Sequence, residues 1–389
     1  MVKRTVVVFV LLGLVSLTAD MVYEGARSVG GAYVEGLGGP PLASAIVGAG
    51  DLLGYVFRFV SAVVASYLTS SFAFWGVVFL GYAVQMVAMP SLAFAGSWEV
   101  AAFLYLAERA GRGLRTPLRD VVVAEVSEDI GRGKGFGIHE LLDQLGAIVG
   151  PVLVAAMLGL YGYKAAFLSL AVPGAVSLGL VVAVMALYPR VKSVELSFGK
   201  VSFRGLGRRF YVYIVASVLL SLGFVHWMNV SYFLKYWGLL GDAEIALAYM
   251  VAMFADATVA VPVGVLYDRL GLKTLYIAPL SALGSSLLLV YAPSLSGLGG
   301  LGVRTLVYTM AALWGVTMGC FETIMRASIA DILPPEKRAM GYGVYGLVYG
   351  VSWTIGSLIY ALLLAQLQTV AAIYAFATLI LSAFLVSKI

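Results

Sequence analysis

Hydrophobic residues in this chain are grouped into long runs that short polar stretches separate. A membrane-spanning helix needs about 20 consecutive, mostly apolar residues, and runs of this length indicate spanning helices. No segment between the runs is long enough for a separate soluble domain. We therefore predict an all-α membrane protein with about twelve spanning helices, near residues 5–28, 42–68, 72–91, 97–119, 136–160, 164–188, 210–236, 244–267, 274–292, 304–326, 340–364 and 369–387.

Composition supports this class of protein. Hydrophobic residues make up 61% of the 389 residues and charged residues 12%, whereas a soluble domain has about 45–50% and about 25%. So few polar residues cannot cover a soluble core, which excludes a disordered, collagenous or nucleic-acid-binding protein. The single cysteine, Cys320, excludes a disulfide framework and a multi-cysteine metal site.

Basic residues set the predicted orientation. Lys3 and Arg4 precede the first run, which continues past Asp20 to Ala26 without a cleavage site, so we interpret it as a retained helix and not a signal peptide. With the N-terminus inside, most loop lysines and arginines fall on the cytoplasmic side. The prediction is a multi-pass protein of the cytoplasmic membrane with both termini in the cytoplasm.

The sequence also repeats itself. Shifting it by 206 residues aligns, without a gap, the regions that follow the fourth and the tenth predicted helices. The matches include Gly113 with Gly319, Glu125 with Asp331, Arg132 with Arg338, and Gly150 with Gly356. This duplication predicts two pseudo-symmetric six-helix bundles, 1–188 and 210–389, joined by a basic cytoplasmic linker, 189–209. Duplicated halves typically place a binding cavity at their interface.

Three motifs resemble those of a known transporter family. The loop after the eighth predicted helix has the spacing G-x-x-x-D-R-x-G-x-K, with Gly264, Asp268, Arg269, Gly271 and Lys273. It resembles the signature loop of the major facilitator superfamily, which implies that fold and a cytoplasmic gate at this loop. Two further motifs are similar to the family's R-x-x-x-G motif and to the G-x-x-x-G-P motif of its proton-coupled exporters: Arg109 with Gly113, and Gly146, Gly150 and Pro151. Residues 20–28 and 112–120 resemble a little-characterised prokaryotic branch.

The matching loop of the first half departs from the signature. Ser66, Tyr67 and Thr69 stand where the family has Asp, Arg and its second Gly. The first-half copy of the charge latch is therefore absent, and other residues must lock that side of the protein.

Ionisable residues within the predicted helices are site candidates, because each costs about 2.5–3.5 kcal/mol to insert and so needs a partner or a function. Asp20, Glu24 and Arg27 share one face of the first helix, and Asp51 lies at a similar depth on the second. Two interpretations stay open: an outer lock in which Arg27 pairs with Glu24, and direct binding of substrate or protons by Asp20 or Asp51. Arg58 either lines the cavity or extends to the cytoplasm.

A second group of charges lies on the fourth and fifth predicted helices. Glu108 and Arg109, near the middle of the fourth helix, join the substrate and proton candidates. The charges that follow predict an inner gate or a structural charge network: Arg112, Arg115, Arg119, Glu140 and Asp143. His139 and Asp143 have the spacing of metal ligands, but too few ligands accompany them for a metal site.

The second half contributes fewer candidates. Asp256, at the midplane of the eighth helix with no cation at its depth, is a candidate for reversible protonation or is a neutral, hydrogen-bonded acid. His226 and Asn229 either contact substrate and protons or are buried polar groups of the core. Glu322 and Arg326 have the spacing of an ion pair on the tenth helix.

Together these features predict a secondary transporter that moves a small organic solute by alternating access, in proton-coupled efflux. An uncoupled facilitator, a lipid flippase or a membrane sensor is the alternative. The sequence has no visible nucleophile–base set or phosphate loop, so we expect a protein that is not an enzyme and holds no cofactor. We also expect it to be a monomer. Acids outnumber bases among the candidates, which slightly favours a cationic or zwitterionic solute, while Arg58 and Arg109 suit a carboxylate equally well.

Overall fold

A computed structural model describes residues 4–67, 70–128, 131–191 and 206–389. Lys3, Thr69, the side chains of Ser66 and Arg132, and most of the predicted linker lie outside the described residues. The described residues are helical with no strand among them. The helices are α1 Arg4–Ser28, α2 Gly30–Gly36, α3 Pro41–Gly48, α4 Gly50–Tyr67, α5 Ser71–Ser91, α6 Trp98–Val126, α7 Arg132–Ser169, α8 Ala171–Leu187, α9 Arg208–Gly223, α10 Trp227–Tyr236, α11 Asp242–Leu270, α12 Ile277–Tyr291, α13 Gly299–Glu322, α14 Ile324–Ile332, α15 Pro335–Gln366 and α16 Gln368–Val386.

Nine stretches of the described chain are long and apolar enough to cross a membrane. Two of them, Gly137–Leu187 and Asp242–Tyr291, have 51 and 50 residues, more than twice the about 20 residues that one crossing needs. The first is divided at Gly162, whose φ of +78° favours glycine. The predicted class, an all-α membrane protein, is therefore confirmed, and the count of twelve crossings stays a prediction.

Contacts between helices divide the chain into two compact units. Unit 1 consists of Met1–Val29 and Gly50–Gly199, and unit 2 of Gly30–Ala49 and Lys200–Ile389. In unit 1, α1 packs against α7 and α8, α6 against α4 and α5, and α5 against α8. In unit 2, α9 packs against α15 and α16, α13 against α11 and α12, and α12 against α16. The helix pairs of unit 1 thus recur in unit 2 in the same chain order. The short α2 and α3 belong to unit 2, where both pack against α10.

Glycines matched by the 206-residue shift occupy matching contacts. A Cβ on Gly113 of α6 would lie 2.6 Å from the carbonyl oxygen of Gly54 on α4. In unit 2, a Cβ on Gly319 of α13 would lie 3.1 Å from the carbonyl oxygen of Asp256 on α11. Both glycines let the backbones of neighbouring helices approach more closely than any side chain allows.

A second matched pair joins other helices of each unit. Gly150 of α7 packs directly on the backbone carbonyl of Met21 in α1, and Gly356 of α15 packs directly on that of Leu222 in α9. Pro151, which follows Gly150, lies inside α7 and is buried. In each unit, one glycine therefore sets the distance between the unit's first long helix and the helix packed on it.

The tenth predicted helix is not continuous. α13 ends at Glu322 and α14 begins at Ile324, because Thr323 has φ −107° and ψ −85°, outside the helical range. The Thr323 hydroxyl donates to the carbonyl oxygen of Gly319 at 2.6 Å. Glu322 and Arg326 therefore lie on two helices, with Glu322 half-buried and Arg326 exposed, and their ion pair stays a prediction.

We expect Gly150→Ala and Gly356→Ala each to lower stability by about 1–3 kcal/mol, because the added methyl group would overlap a backbone carbonyl that has no rotamer to change. Thermal unfolding of the purified protein in detergent measures this. Gly343→Ala is the matched control: this glycine lies in α15 with open space around it, and alanine favours the helix there. Equal melting temperatures for the three variants would contradict the close packing.

Candidate functional site

A set of charged and polar side chains lies within the helices of unit 1. We call it the buried charge cluster and define it as Asp20, Tyr23, Glu24, Arg27, Asp51, Glu108, Arg109 and Arg112. Most of its members are less than one-tenth exposed. Charges so far from water require partners inside the protein, and the cluster supplies them from α1, α4 and α6.

Asp51 is the centre of the cluster. Its Oδ2 lies 3.1 Å from Nη2 of Arg27, and its Oδ1 lies 3.2 Å from Nε of Arg109. The carboxylate thus binds two arginines from two different helices, and its side chain is 16% exposed. The structure pairs Arg27 with Asp51, and Glu24 is buried on the same helix as Arg27. Direct binding of substrate or protons by Asp20 or Asp51 stays a prediction.

Local structure explains why Asp51 reaches both arginines. Asp51 lies in the first turn of α4, where a carboxylate is stabilised by the helix dipole. A Cβ on Gly50 would lie only 2.8 Å from Cγ of Arg109. Glycine at this position therefore lets the arginine side chain pass close to the start of α4.

A hydrogen-bonded chain extends from the cluster toward α5. Nε of Arg109 lies 3.4 Å from Oε2 of Glu108, and Oε1 of Glu108 accepts a hydrogen bond from Nε2 of Gln85 at 2.9 Å. Gln85 in turn accepts from Nε of Arg115 at 2.7 Å, and Nη1 of Arg115 donates to the Tyr82 hydroxyl at 3.0 Å. Sequence reasoning missed Gln85, although it is the one amide side chain in the apolar sequence of α5.

Tyr23 is a second residue that sequence reasoning missed. The guanidinium of Arg112 lies 3.9 Å from the centre of its ring, and that of Arg109 lies 5.5 Å from it. The Tyr23 hydroxyl donates to Oδ2 of Asp20 at 3.4 Å. Asp20 also lies at the contact between α1 and α7, because a Cβ on Gly146 would be 2.9 Å from its Cβ.

Further along α6, Arg119 forms a separate group with α1 and α7. It binds Asp120 at 2.8 Å and donates to the Ser16 hydroxyl at 2.7 Å. Ser16 is also hydrogen-bonded to Nε2 of His139 at 3.0 Å, and Oδ2 of Asp143 lies 3.9 Å from Arg119. Of the arginines predicted to meet the α7 carboxylates, Arg119 is the one shown to do so in the described residues.

Two further predicted residues of unit 1 are less buried. Glu140 is exposed, and Arg58 is half-buried with its guanidinium 5.3 Å from the centre of the Tyr55 ring. Among the described residues, no group of three or more His, Cys, Asp or Glu side chains is arranged to hold a metal ion.

Unit 2 contains a break between α9 and α10 at residues 224–226. The backbone carbonyls freed by this break accept hydrogen bonds from four side chains on three other helices, α13, α15 and α16. The donors are the Tyr374 hydroxyl to Leu222 at 2.9 Å, the Tyr360 hydroxyl to Gly223 at 2.5 Å, Nε1 of Trp353 to Phe224 at 2.9 Å and Nε1 of Trp314 to Val225 at 2.9 Å. Because an unpaired carbonyl inside a membrane costs several kcal/mol, these donors stabilise the broken helix.

His226 and Asn229 lie at the start of α10. Nδ1 of His226 accepts a hydrogen bond from the backbone N–H of Met228 at 3.1 Å, which caps the helix. Oδ1 of Asn229 accepts from the hydroxyls of Ser44 at 3.2 Å and Ser357 at 2.9 Å, and its Nδ2 donates to the Ser357 carbonyl at 2.7 Å. Asn229 therefore joins α3, α10 and α15 and has its hydrogen bonds inside the protein.

Asp256 and the signature loop lie on or after α11. Asp256 is 3% exposed at the centre of the helix, and its Oδ1 would be 3.1 Å from a Cβ on Gly319. Asp268 and Arg269 are exposed in the last turn of α11, followed by Gly271, whose φ of +60° ends the helix, and by the exposed Lys273. The preceding glycine of the loop, Gly264, is half-buried.

Comparisons with known proteins agree with this architecture. The family model described as the Major Facilitator Superfamily matches residues 9–241 and 222–388. An uncharacterised protein of Mycobacterium tuberculosis strain H37Rv is 33% identical over 96% of this chain and 92% of its own. An uncharacterised MFS-type transporter of Methanocaldococcus jannaschii is 27% identical over 72% of this chain and 70% of its own.

Two solved structures show the same fold. A peptide transporter POT in complex with sulfate has a TM-score of 0.76 and 18% identity, covering 98% of this chain and 94% of that one. The nucleoside transporter NupG has a TM-score of 0.75 and 14% identity, covering 98% of both chains. At these identities the likeness is one of fold.

We expect Asp51→Asn to destabilise the protein by about 3–5 kcal/mol, because two buried arginines, Arg27 and Arg109, lose their ion pair with Asp51. Adding Arg27→Gln to this variant should recover part of the loss, and a double-mutant cycle by thermal unfolding in detergent measures the coupling. Asp242→Asn is the control, since its ion pair with Lys235 is partly exposed and is worth at most about 1 kcal/mol. Additive effects of the Asp51 and Arg27 changes would contradict the pairing.

Asn229→Ala should cost about 1–3 kcal/mol, because two buried serine hydroxyls lose their acceptor and a backbone carbonyl loses its donor. The melting temperature in detergent again reports the loss. Thr305→Ala serves as the comparison: its exposed hydroxyl bonds within its own helix, and we expect its removal to have little effect. A melting temperature for Asn229→Ala equal to that of Thr305→Ala would show that the hydrogen bonds of Asn229 do not stabilise the packing of α3, α10 and α15.

Proposed function

Because this chain belongs to the major facilitator superfamily, we propose that it is a secondary transporter that moves a small organic solute across the cytoplasmic membrane in exchange for protons. Transport runs in the efflux direction by alternating access, and the protein works as a monomer with both termini in the cytoplasm. The recurrence of the same helix pairs in units 1 and 2 supports this proposal, since duplicated bundles are the usual basis of alternating access.

The observation that carries the proposal is the sharing of Asp51 between Arg27 and Arg109. A proton on Asp51 would remove most of its attraction for both arginines at once. Because these arginines lie on α1 and α6 and Asp51 lies on α4, protonation would weaken the contacts among three helices. A group whose charge controls helix contacts can couple proton binding to a change between two conformations.

The direction of transport rests on different evidence. Gly146, Gly150 and Pro151 match the motif that the sequence shares with proton-coupled exporters, and the two glycines pack α7 directly on α1. Asp20 of α1 therefore lies at the helix contact that the glycines of this motif form. This juxtaposition supports efflux in exchange for protons.

An uncoupled facilitator is the second candidate. Both oxygens of Asp51 are held by arginines at close distance, and a carboxylate so well paired also suits a purely structural link between helices. A lipid flippase or a membrane sensor would use the link in the same way. In all of these cases, Asp51 would stay charged throughout the working cycle.

Transport by the purified protein in lipid vesicles that contain a trapped pH indicator separates these functions. The solutes to be tested are amino acids, short peptides and nucleosides. We expect at least one of them to produce proton movement when it is added to wild-type vesicles. For that solute, Asp51→Asn should abolish accumulation driven by a pH gradient and retain exchange of labelled for unlabelled solute across the membrane. Retained exchange shows that the variant is folded and binds its solute.

Asp242→Asn is the control variant and should accumulate solute as the wild type does. If Asp51→Asn still accumulates solute in response to the pH gradient, Asp51 is not the coupling residue. If wild-type vesicles exchange solute without any proton movement, the uncoupled facilitator is the correct function.

A further inference from the structure

Arg112 differs from the other arginines of the buried charge cluster in its partners. Its guanidinium stacks on the ring of Tyr23 at 3.9 Å. An ion pair requires a nitrogen and a carboxylate oxygen no more than 4.0 Å apart, and in the described part of the chain no carboxylate oxygen is that close to a nitrogen of Arg112. Arg27 and Arg109, by contrast, both bind Asp51. Arg112 thus interacts with the carboxylates of Asp20, Glu24 and Glu108 from beyond the distance of an ion pair.

The stacked arrangement leaves the donor groups of Arg112 available. A guanidinium has five N–H donors, all in its plane, and stacking occupies only its flat face. The ring of Tyr23 holds that plane in place, and the Tyr23 hydroxyl is itself directed to Asp20. Arg112 is half-buried, whereas Arg27 and Arg109 are buried. The edge of a guanidinium binds a planar group with two oxygens through two parallel hydrogen bonds.

The surrounding charges select among anions. Asp20, Glu24 and Glu108 are the carboxylates that interact electrostatically with Arg112. Their negative charges disfavour a dianion such as a phosphate monoester more strongly than a single carboxylate. A single carboxylate meets less of this repulsion than a dianion does, and its two oxygens match the planar donor pair of a guanidinium.

From this geometry we infer that Arg112, oriented by Tyr23, binds the carboxylate group of the transported solute. The inference rests on the proposed transport function and names its substrate class, a small organic molecule with one carboxylate. Sequence reasoning placed Arg112 at the cytoplasmic gate and favoured a cationic or zwitterionic solute slightly. The stacking of Arg112 on Tyr23, which leaves the edge of the guanidinium without an ion pair among the described residues, is the basis for favouring a solute with a carboxylate.

Ligand-induced thermal stabilisation of the full-length protein in detergent tests this inference. The probes are a panel of N-acetyl amino acids, each with its own primary amide as the uncharged partner. Inorganic phosphate and sodium chloride at equal ionic strength are the probes for a general anion effect. We expect at least one carboxylate to raise the melting temperature when its amide, phosphate and chloride do not.

Three variants locate the effect. Arg112→Gln should weaken binding of the stabilising carboxylate by about tenfold or more, the loss expected for a charged, paired hydrogen bond. Arg112→Lys keeps the charge without the planar donor pair and should bind with intermediate affinity. Arg304→Gln is the control, because that arginine is 52% exposed and paired with Glu244; we expect it to bind as the wild type does.

Several outcomes would overturn the inference: no carboxylate stabilises the wild type more than its amide, phosphate stabilises as well as any carboxylate, or Arg112→Gln binds as tightly as the wild type. These results are separable from a failure of the proposed function. Proton-coupled transport of solutes without any preference for carboxylates would refute only the role of Arg112. Carboxylate binding lost in Arg112→Gln, in vesicles without proton movement, would refute only the coupling.

Discussion

The structure of unit 1 depends on the pairing of Asp51 with Arg27 and Arg109. Charges within membrane-spanning helices cannot rely on water, so each must find an opposite charge or a hydrogen bond in the protein. One carboxylate that serves two arginines meets this requirement for three helices together. Hydrogen bonds from Glu108 through Gln85 to Arg115 connect the cluster to α5, and the neutral amide of Gln85 lies between the two charged groups.

Unit 2 meets the same constraint mainly with backbone groups. Its helix break at residues 224–226 exposes carbonyls that hydrocarbon cannot solvate, and two tyrosines and two tryptophans donate hydrogen bonds to them. Asn229 connects α10 to α15 through further hydrogen bonds. The two units thus share their helix pairs and their packing glycines, but unit 1 concentrates charge where unit 2 concentrates aromatic donors.

This difference bears on function. Uncharged hydrogen bonds such as those of Asn229 do not change with protonation, whereas a shared carboxylate does. Among the described residues, the buried carboxylates of unit 1 are Asp20, Glu24 and Glu108. Asp256 is the buried carboxylate within α11 of unit 2, and it lies against Gly319, at the contact that matches Gly113 and Gly54.

The sequence by itself determined the class of protein, the positions of its hydrophobic helices and their duplication. These follow from hydrophobicity and from the spacing of glycines, which are properties of short segments and need no knowledge of neighbours. It also identified most of the buried charges, because an ionisable residue in an apolar run is conspicuous. Partners were decided only by the tertiary structure, since they depend on how each helix is rotated and where it breaks. Arg27 binds Asp51 and Arg112 stacks on Tyr23 because packing, and not spacing along the chain, brings these side chains together. The helix break at Thr323, which places Glu322 and Arg326 on two helices, is likewise seen only in the structure.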